Sequence, residues 1–144
     1  DEALPAWRMA LALSPADRYS QSRYCDAALA ADNPSLALGI SAEKTDDEAL
    51  LICRLVALHR LGEELSPAHK SEAGQLQATL EQRLDEAQRR GAGMSARHHA
   101  RYLLDVLERP VPALVLAEEN WAQQREWPDQ QLLARARAAQ EPGR

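Results

Sequence analysis

The chain's two adjacent histidines and its two cysteines are the residues whose types could bind a metal ion. His98 and His99 are next to each other in the sequence. Neighbouring side chains on a helix point about 100 degrees apart, whereas two metal ligands on one helix need a spacing of three or four residues. Neither Cys25 nor Cys53 has a histidine nearby. The sequence therefore predicts no metal site and no cofactor.

Nucleophilic or acid–base catalysis would need a serine or cysteine, a histidine and an acid in one place. Those residue types are present, but the sequence lacks a glycine-rich nucleophile elbow, a nucleotide-binding loop and a metalloprotease motif. Adjacent acids such as Glu118 and Glu119 are explained by solvated helix faces and helix starts, where carboxylates are favoured. We therefore expect a protein without enzymatic activity.

Cys25 and Cys53 form the only possible disulfide. They fall at similar heights in two predicted helices that start near Pro15 and Asp46, which would be parallel neighbours in consecutive hairpins. Stacked axes about 8 to 10 Å apart can bring the Cα atoms within disulfide range. A bond would close a loop of about 28 residues and suit an exported protein, whereas in a reducing cytosol both cysteines would remain small buried hydrophobic residues. The compartment stays undetermined, with a periplasmic or otherwise exported location favoured over a cytoplasmic one.

Helices are the elements that must position these residues. Alanine and leucine supply most of the apolar side chains, Phe is absent, and the β-branched residues are scarce. The longest apolar runs, such as Ala27 to Ala31, fall far short of the roughly 20 residues of a membrane span. A net charge of -5, with acids and arginines interspersed, disfavours nucleic acid as a partner. We expect a soluble all-α protein without membrane insertion.

Local start and stop signals divide the chain into about eight helices. Each predicted start combines a hydroxyl, amide or acid with a proline or with further acids. The signals are Ser14 with Pro15 and Asp17, Asp32 and Asn33 with Pro34, Thr45 with Asp46, Asp47 and Glu48, Ser66 with Pro67, Ser95, and the break at Pro110 and Pro112. Gly62, the pair Gly91 and Gly93, and Pro128 mark ends. Short connections favour antiparallel neighbours, so hairpins are expected.

Helical spacing also predicts which large side chains are buried. Leu51, Leu55 and Leu58 form a core stripe in the fourth helix. Trp121 follows the same stripe as other apolar residues of its helix, so replacing it with alanine is expected to cost roughly 3 to 5 kcal/mol. Trp127 beside a proline is the more exposed tryptophan.

The last third of the chain resembles a tetratricopeptide repeat. The stretch ARHHARYLLDVLERPVPALVLAEENWAQQREWPD, residues 96–129, has the roughly 34-residue length of that repeat. Ala113 and Leu114 open its second helix, and Ala117 follows one turn later. Glu108 and Arg109 stand in the turn where the family usually has Gly-Asp. The run ALVLAEENWAQQREWPDQQLLARARAA is similar to the C-terminal repeat of bacterial members, many of which are exported.

The resemblance implies a right-handed α-solenoid of stacked antiparallel hairpins that binds a protein or peptide in a concave groove. It makes residues 1–144 a single helical-repeat domain, with the best repeat at 96–128 and a terminal capping helix at 129–140, as the C-terminal part of a longer protein. His98, Tyr102 and Asp105 would line the groove as partner-binding residues. A structural cap of a longer stack, with no ligand of its own, is the alternative function.

Overall fold

The computed structural model describes residues 3–91 and 95–141, which form eight α-helices and no strand. This confirms the predicted all-α class and the number of helices. The helices are α1 (Ala3–Leu13), α2 (Arg18–Ala30), α3 (Pro34–Ser41), α4 (Glu48–Leu61), α5 (Pro67–Arg89), α6 (Ala96–Asp105), α7 (Pro110–Gln123) and α8 (Trp127–Ala138). None of the described helices is both long enough and apolar enough to cross a membrane.

The described residues group into two compact units, Asp1–Leu80 and Glu81–Arg144, where the sequence predicts one domain. Unit 1 contains α1 to α4 and most of α5, and unit 2 contains the end of α5 and α6 to α8. The predicted repeat at 96–128 covers α6 and α7 and includes the first two residues of α8.

Two helices begin later than their predicted cap residues. The carboxylate of Asp17, rather than the hydroxyl of Ser14, caps α2 by accepting hydrogen bonds from the backbone N–H groups of Tyr19 and Ser20. Similarly, Asp47 caps α4, and not Thr45. In both places the acid directly precedes the first helical residue, from which its oxygens reach the unpaired amides of the first turn.

Prolines mark the beginnings of α3, α5, α7 and α8. Pro34, Pro67 and Pro110 are the first residues of their helices, where the missing N–H costs no hydrogen bond. The predicted caps Asn33 and Ser66 accept from Leu36 N–H and His69 N–H. Pro128, which was predicted to close α7, instead lies in the first turn of α8.

In unit 1, α2, α3 and α4 pack against one another, and three contacts show that α2 and α4 are parallel. Arg18 pairs with Asp46 at the starts of the two helices, a disulfide joins their middles, and Arg60 donates to the Leu29 carbonyl near their ends. The predicted leucine stripe of α4 is wider than expected, because every residue from Leu50 to Leu58 is buried. A helix that is apolar all round is suited to this position.

Unit 2 repeats this arrangement with α6, α7 and α8. Arg97 near the start of α6 binds Asp129 near the start of α8, and Asp105 at the end of α6 binds Arg135 late in α8. The first and third helices are therefore parallel here too. Its core consists of small and aliphatic side chains: Ala100, Ala117, Leu132, Leu133 and Ala136.

The α2–α3 and α6–α7 hairpins also share one turn conformation. Asp32 and Glu108 adopt positive φ angles of 56° and 54°. The following residues, Asn33 (φ -121°, ψ 71°) and Arg109 (φ -112°, ψ 82°), are the N-caps of helices that each begin with proline. Since the same three-residue pattern reverses the chain in both units, the two hairpins are structurally equivalent.

Candidate functional site

The three predicted partner-binding residues lie on α6, but two of them are engaged inside unit 2. Tyr102 is 1% exposed, and its hydroxyl donates to a Glu81 carboxylate oxygen at 2.7 Å. The Asp105 carboxylate is 11% exposed and accepts from both terminal nitrogens of Arg135, at 2.5 and 3.1 Å. His98 is half-buried. The side chain of His98 is therefore partly accessible.

The neighbouring His99 is also half-buried, and burial lowers the pKa of its imidazole. Its charged form is disfavoured because it loses hydration without gaining a compensating partner. Among the residues that the structure describes, no group of three or more His, Cys, Asp and Glu side chains is arranged to hold a metal ion.

Asp129 is the most completely buried carboxylate of unit 2, with 1% of its surface exposed. Arg97 donates to it twice, at 2.5 and 2.7 Å, Asn120 donates at 2.6 Å, and the Glu126 backbone N–H donates at 3.0 Å. Burial by itself raises the pKa of the Asp129 carboxyl, but the hydrogen bonds from Arg97 and Asn120 outweigh burial and lower it. These hydrogen bonds join α6, α7 and α8 to one another, so the role of Asp129 is structural.

Arg54 is the corresponding buried charge of unit 1. It is 7% exposed, its Nε and one terminal nitrogen each bind the Glu72 carboxylate at 2.8 Å, and it donates to the Leu38 carbonyl at 2.8 Å. The hydrogen bonds from Arg54 lower the pKa of Glu72. This bidentate pair fastens the first half of α5 to α3 and α4.

The structure joins Cys25 and Cys53 in a disulfide, with their Cα atoms 6.4 Å apart. Both residues are fully buried, with 0% exposure. A reductant or a second thiol must reach the sulfur atoms to exchange with them, so this bond is placed to hold α2 and α4 together rather than to take part in redox chemistry.

A partly exposed aromatic and cationic cluster lies where α1 meets α2, and its arginine, Arg23, also binds Asp26 at 3.4 Å. The rings of Trp7 and Tyr19 meet edge to face with centroids 6.4 Å apart, and the Arg23 guanidinium lies 5.8 Å from the Trp7 ring centroid. Tyr19 is 60% exposed. Trp, Tyr and Arg are the residue types that most often dominate the energy of protein interfaces. The sequence does not link Trp7 to Tyr19 and Arg23, because only the α1–α2 turn brings these residues together.

The outward side of α1 adds an apolar surface to this cluster. No residue of α1 is buried, and Met9 and Leu13 are 69% and 82% exposed. Pro5, Ala6 and Ala12 are exposed as well. At 100 degrees per residue these five side chains fall on one side of the helix, which we call the α1 outer face.

The two tryptophans of unit 2 differ in exposure. Trp127 is 64% exposed, as predicted. Trp121 packs at the edge of the unit 2 core and remains half-buried, and the Arg125 guanidinium lies 5.4 Å from its ring centroid. Trp121 therefore lies on the core side of its helix, as predicted, but is covered only in part, because the helical stripe predicts the side on which a ring lies and not how far the neighbouring helix covers it.

The two equivalent hairpins also share a short sequence pattern that helical spacing alone does not detect. Residues 32–38 read DNPSLAL and residues 108–114 read ERPVPAL, so both have an acid, a proline two residues later, and then Ala-Leu at the same offset. Ala37 and Ala113 are both fully buried at 0% exposure. Beyond this internal repetition, no family model, curated protein or solved structure matches the chain.

Proposed function

We propose that this protein is a non-enzymatic helical scaffold that binds a protein or peptide partner. The observation that carries the proposal is the recurrence, in both units, of a helix hairpin followed by a third helix parallel to the first. Stacked hairpins of this kind place their first helices side by side, and the resulting surfaces commonly bind other proteins.

A second sequence pattern supports a tetratricopeptide-like solenoid. Ala3 and Trp7 in α1 are separated by three residues and followed by Pro15. In unit 2, Ala117 and Trp121 have the same separation, and a proline follows at nearly the same distance. The order alanine, three residues, aromatic residue and then proline is typical of the second helix of that repeat. We propose a right-handed stack on this basis.

The partner surface that the geometry of unit 1 favours is the cluster of Trp7, Tyr19 and Arg23. His98 remains a separate candidate contact of unit 2. Tyrosine and arginine can bury a large area and still satisfy hydrogen bonds at their polar ends. A protein or peptide fits this surface better than a nucleic acid, since the chain carries a net charge of -5.

A structural cap is the second candidate function, and α8 supplies the observation that favours it. The side of α8 turned away from the core carries exposed polar residues, including Gln130, Gln131, Arg135 and Arg137. A terminal repeat needs such a polar outer side to end a hydrophobic stack. Because α8 lies far from Tyr19 in the sequence, a cap and a binding surface are compatible roles.

The experiment is affinity capture from the native extract with the intact protein, followed by reconstitution with the purified partner. Tyr19→Ala should weaken the reconstituted complex by about tenfold, the usual loss for a central aromatic contact. Val111→Ala is the matched control, because Val111 is 65% exposed and lies outside the cluster. The proposal fails if no protein forms a saturable complex with the intact chain.

A further inference from the structure

The disulfide of unit 1 holds the helix that carries two of the three cluster residues. Cys25 lies in the middle of α2 and is bonded to Cys53 of α4. Tyr19 and Arg23 lie on the same helix as Cys25. Trp7, the third member of the cluster, lies on α1, which packs against α2. The geometry of the cluster therefore depends on how firmly α2 is attached to the rest of unit 1.

The apolar side chains of α2 supply only part of that attachment. Its buried apolar residues include one large aliphatic side chain, Leu29, and one aromatic ring, Tyr24, and the others are Cys25, Ala27 and Ala28. Burial stabilises roughly in proportion to the apolar area that leaves water, and small side chains remove little area. Helix α4, by contrast, buries leucine, isoleucine and valine side chains along its whole middle. The attachment of α2 consequently depends more on specific ties than that of α4.

The polar ties of α2 to α4 are weaker than the disulfide. Arg18 and Asp46 lie 3.6 Å apart, but their side chains are 43% and 76% exposed, and such surface pairs contribute little. Arg60 donates one hydrogen bond to the Leu29 carbonyl at 2.6 Å. Helix α3 is fastened to α4 independently, because the buried Arg54 donates to a carbonyl of α3 at 2.8 Å. Without the disulfide, α2 should therefore separate before α3 leaves α4.

The equivalent helices of unit 2 are tied without cysteines. Both cysteines of the chain lie in unit 1. Ion pairs of Arg97 with Asp129 and of Arg135 with Asp105 join α6 to α8. Oxidation and reduction of thiols leave these charges unchanged, so loss of the disulfide acts on unit 1.

Burial of the cysteines determines when the bond can form. Cys25 and Cys53 are both 0% exposed in the folded chain, so an oxidant reaches them only while α2 is separated from α4. The two thiols then give two protons and two electrons to an oxidant of the disulfide class, which is reduced to two thiols, and the sulfur–sulfur bond forms. Once unit 1 has closed, burial protects the bond from thiol exchange.

We propose that the Cys25–Cys53 bond is a redox condition on partner binding, because it holds α2 and the cluster in place only in chains that have folded in an oxidising environment. A chain that folds in its reduced form keeps unit 2 intact and lets α2, with Tyr19 and Arg23, separate from α4. This inference rests on the proposed scaffold function and names the regulation of its binding surface.

The test is hydrogen–deuterium exchange of the intact chain, followed by mass spectrometry, in the oxidised form and after unfolding and refolding in dithiothreitol. We expect the amides of α2 to exchange at least about 100-fold faster in the reduced chain, because a cross-link across a sequence separation of 28 residues is lost. The amides of α6 to α8 should change by less than about threefold. The variant Cys25→Ala, Cys53→Ala should behave as the reduced chain does, which excludes an effect of the free thiols.

The control is the oxidised chain kept folded in the same dithiothreitol, whose buried bond should persist and whose exchange should stay unchanged. Equal protection of α2 in the oxidised and reduced chains overturns the inference. Equal acceleration of both units also overturns it, because the bond would then stabilise the whole chain and not the attachment of α2.

Partner capture separates this inference from the proposed function. A protein that the oxidised chain captures should bind the Cys25→Ala, Cys53→Ala variant at least about tenfold more weakly, because α2 is in place in only a fraction of the molecules. Equal binding of that protein to both chains overturns the redox condition and leaves the scaffold function standing. If the oxidised chain captures no protein, the scaffold function fails, and the exchange measurement still decides whether the bond holds α2.

Discussion

At the scale of single residues, the buried carboxylate of Asp129 organises unit 2. Four hydrogen bonds from three partners converge on it, and two of them come from a guanidinium on α6. Replacing it as Asp129→Asn removes the charge that neutralises Arg97 and should lower the free energy of unfolding by about 2–3 kcal/mol. Urea unfolding measures the loss. Asp85→Asn, at an exposed i,i+4 pair, is the control and should change stability by less than about 0.5 kcal/mol. Equal losses of stability in Asp129→Asn and Asp85→Asn would contradict the structural role of Asp129.

The same carboxylate makes unit 2 sensitive to acid. The pKa of Asp129 is lowered in the folded protein, so its contribution to stability is fully present above the unfolded pKa of about 3.9 and is lost as pH falls through the lower folded value. We expect the free energy of unfolding to fall steeply below about pH 4, and Asp129→Asn should flatten that part of the pH profile. A variant whose profile parallels that of the wild type would show that other carboxyls carry the acid sensitivity.

Trp121 illustrates a residue whose burial is partial. The ring packs against the unit 2 core but keeps part of its surface exposed, so Trp121→Ala should cost about 2 kcal/mol, below the roughly 3 to 5 kcal/mol of a fully buried ring. Trp127→Ala is the control, since a ring that is 64% exposed should cost less than about 0.5 kcal/mol. Thermal or urea unfolding of the two variants gives the comparison, and a loss above about 3 kcal/mol at Trp121 would mean that the ring is buried.

At the scale of elements, the turn before α7 contains a removable strain. Glu108 adopts a φ of 54°, which costs a non-glycine residue roughly 1–2 kcal/mol. Glu108→Gly should raise the free energy of unfolding by about 0.5–1 kcal/mol, after the extra chain entropy of glycine is subtracted. Glu119→Gly, in the exposed interior of α7, is the matched control and should lower stability by about 1 kcal/mol. If Glu108→Gly lowers stability as Glu119→Gly does, the backbone of Glu108 is not strained.

Local signals predicted the helices well and their contacts poorly. Asn33 with Pro34 and Ser66 with Pro67 mark helix starts through atoms within four residues, so the sequence contains all the information that those caps need. The bonds of Asp129 to Arg97 cross 32 positions, and no local pattern encodes them. The burial of Tyr102 could not be predicted for the same reason, since it depends on residues outside its own helix.

At the scale of the whole molecule, the disulfide is the largest single constraint on unit 1. The bond between Cys25 and Cys53 closes a loop with a sequence separation of 28 residues, which in the chain-entropy model stabilises the fold by about 3–4 kcal/mol. Unfolding in urea with and without reductant should show a difference of that size. The protein must be denatured before alkylation, because both sulfur-bearing residues are fully buried. Mass spectrometry should then find no label without reductant, and two labels would exclude the bond.

The parallel helices of the two units are tied by different chemistry, and this difference makes each unit respond to a different environment. A covalent bond holds α2 to α4, and ion pairs from Arg97 and Asp105 hold α6 to α8. Reduction in the unfolded chain, where the sulfur atoms become accessible, would therefore remove the covalent tie of unit 1 and leave the ion pairs of unit 2 unchanged. Acidification would weaken the ion pairs that hold α6 to α8 and leave the disulfide in place.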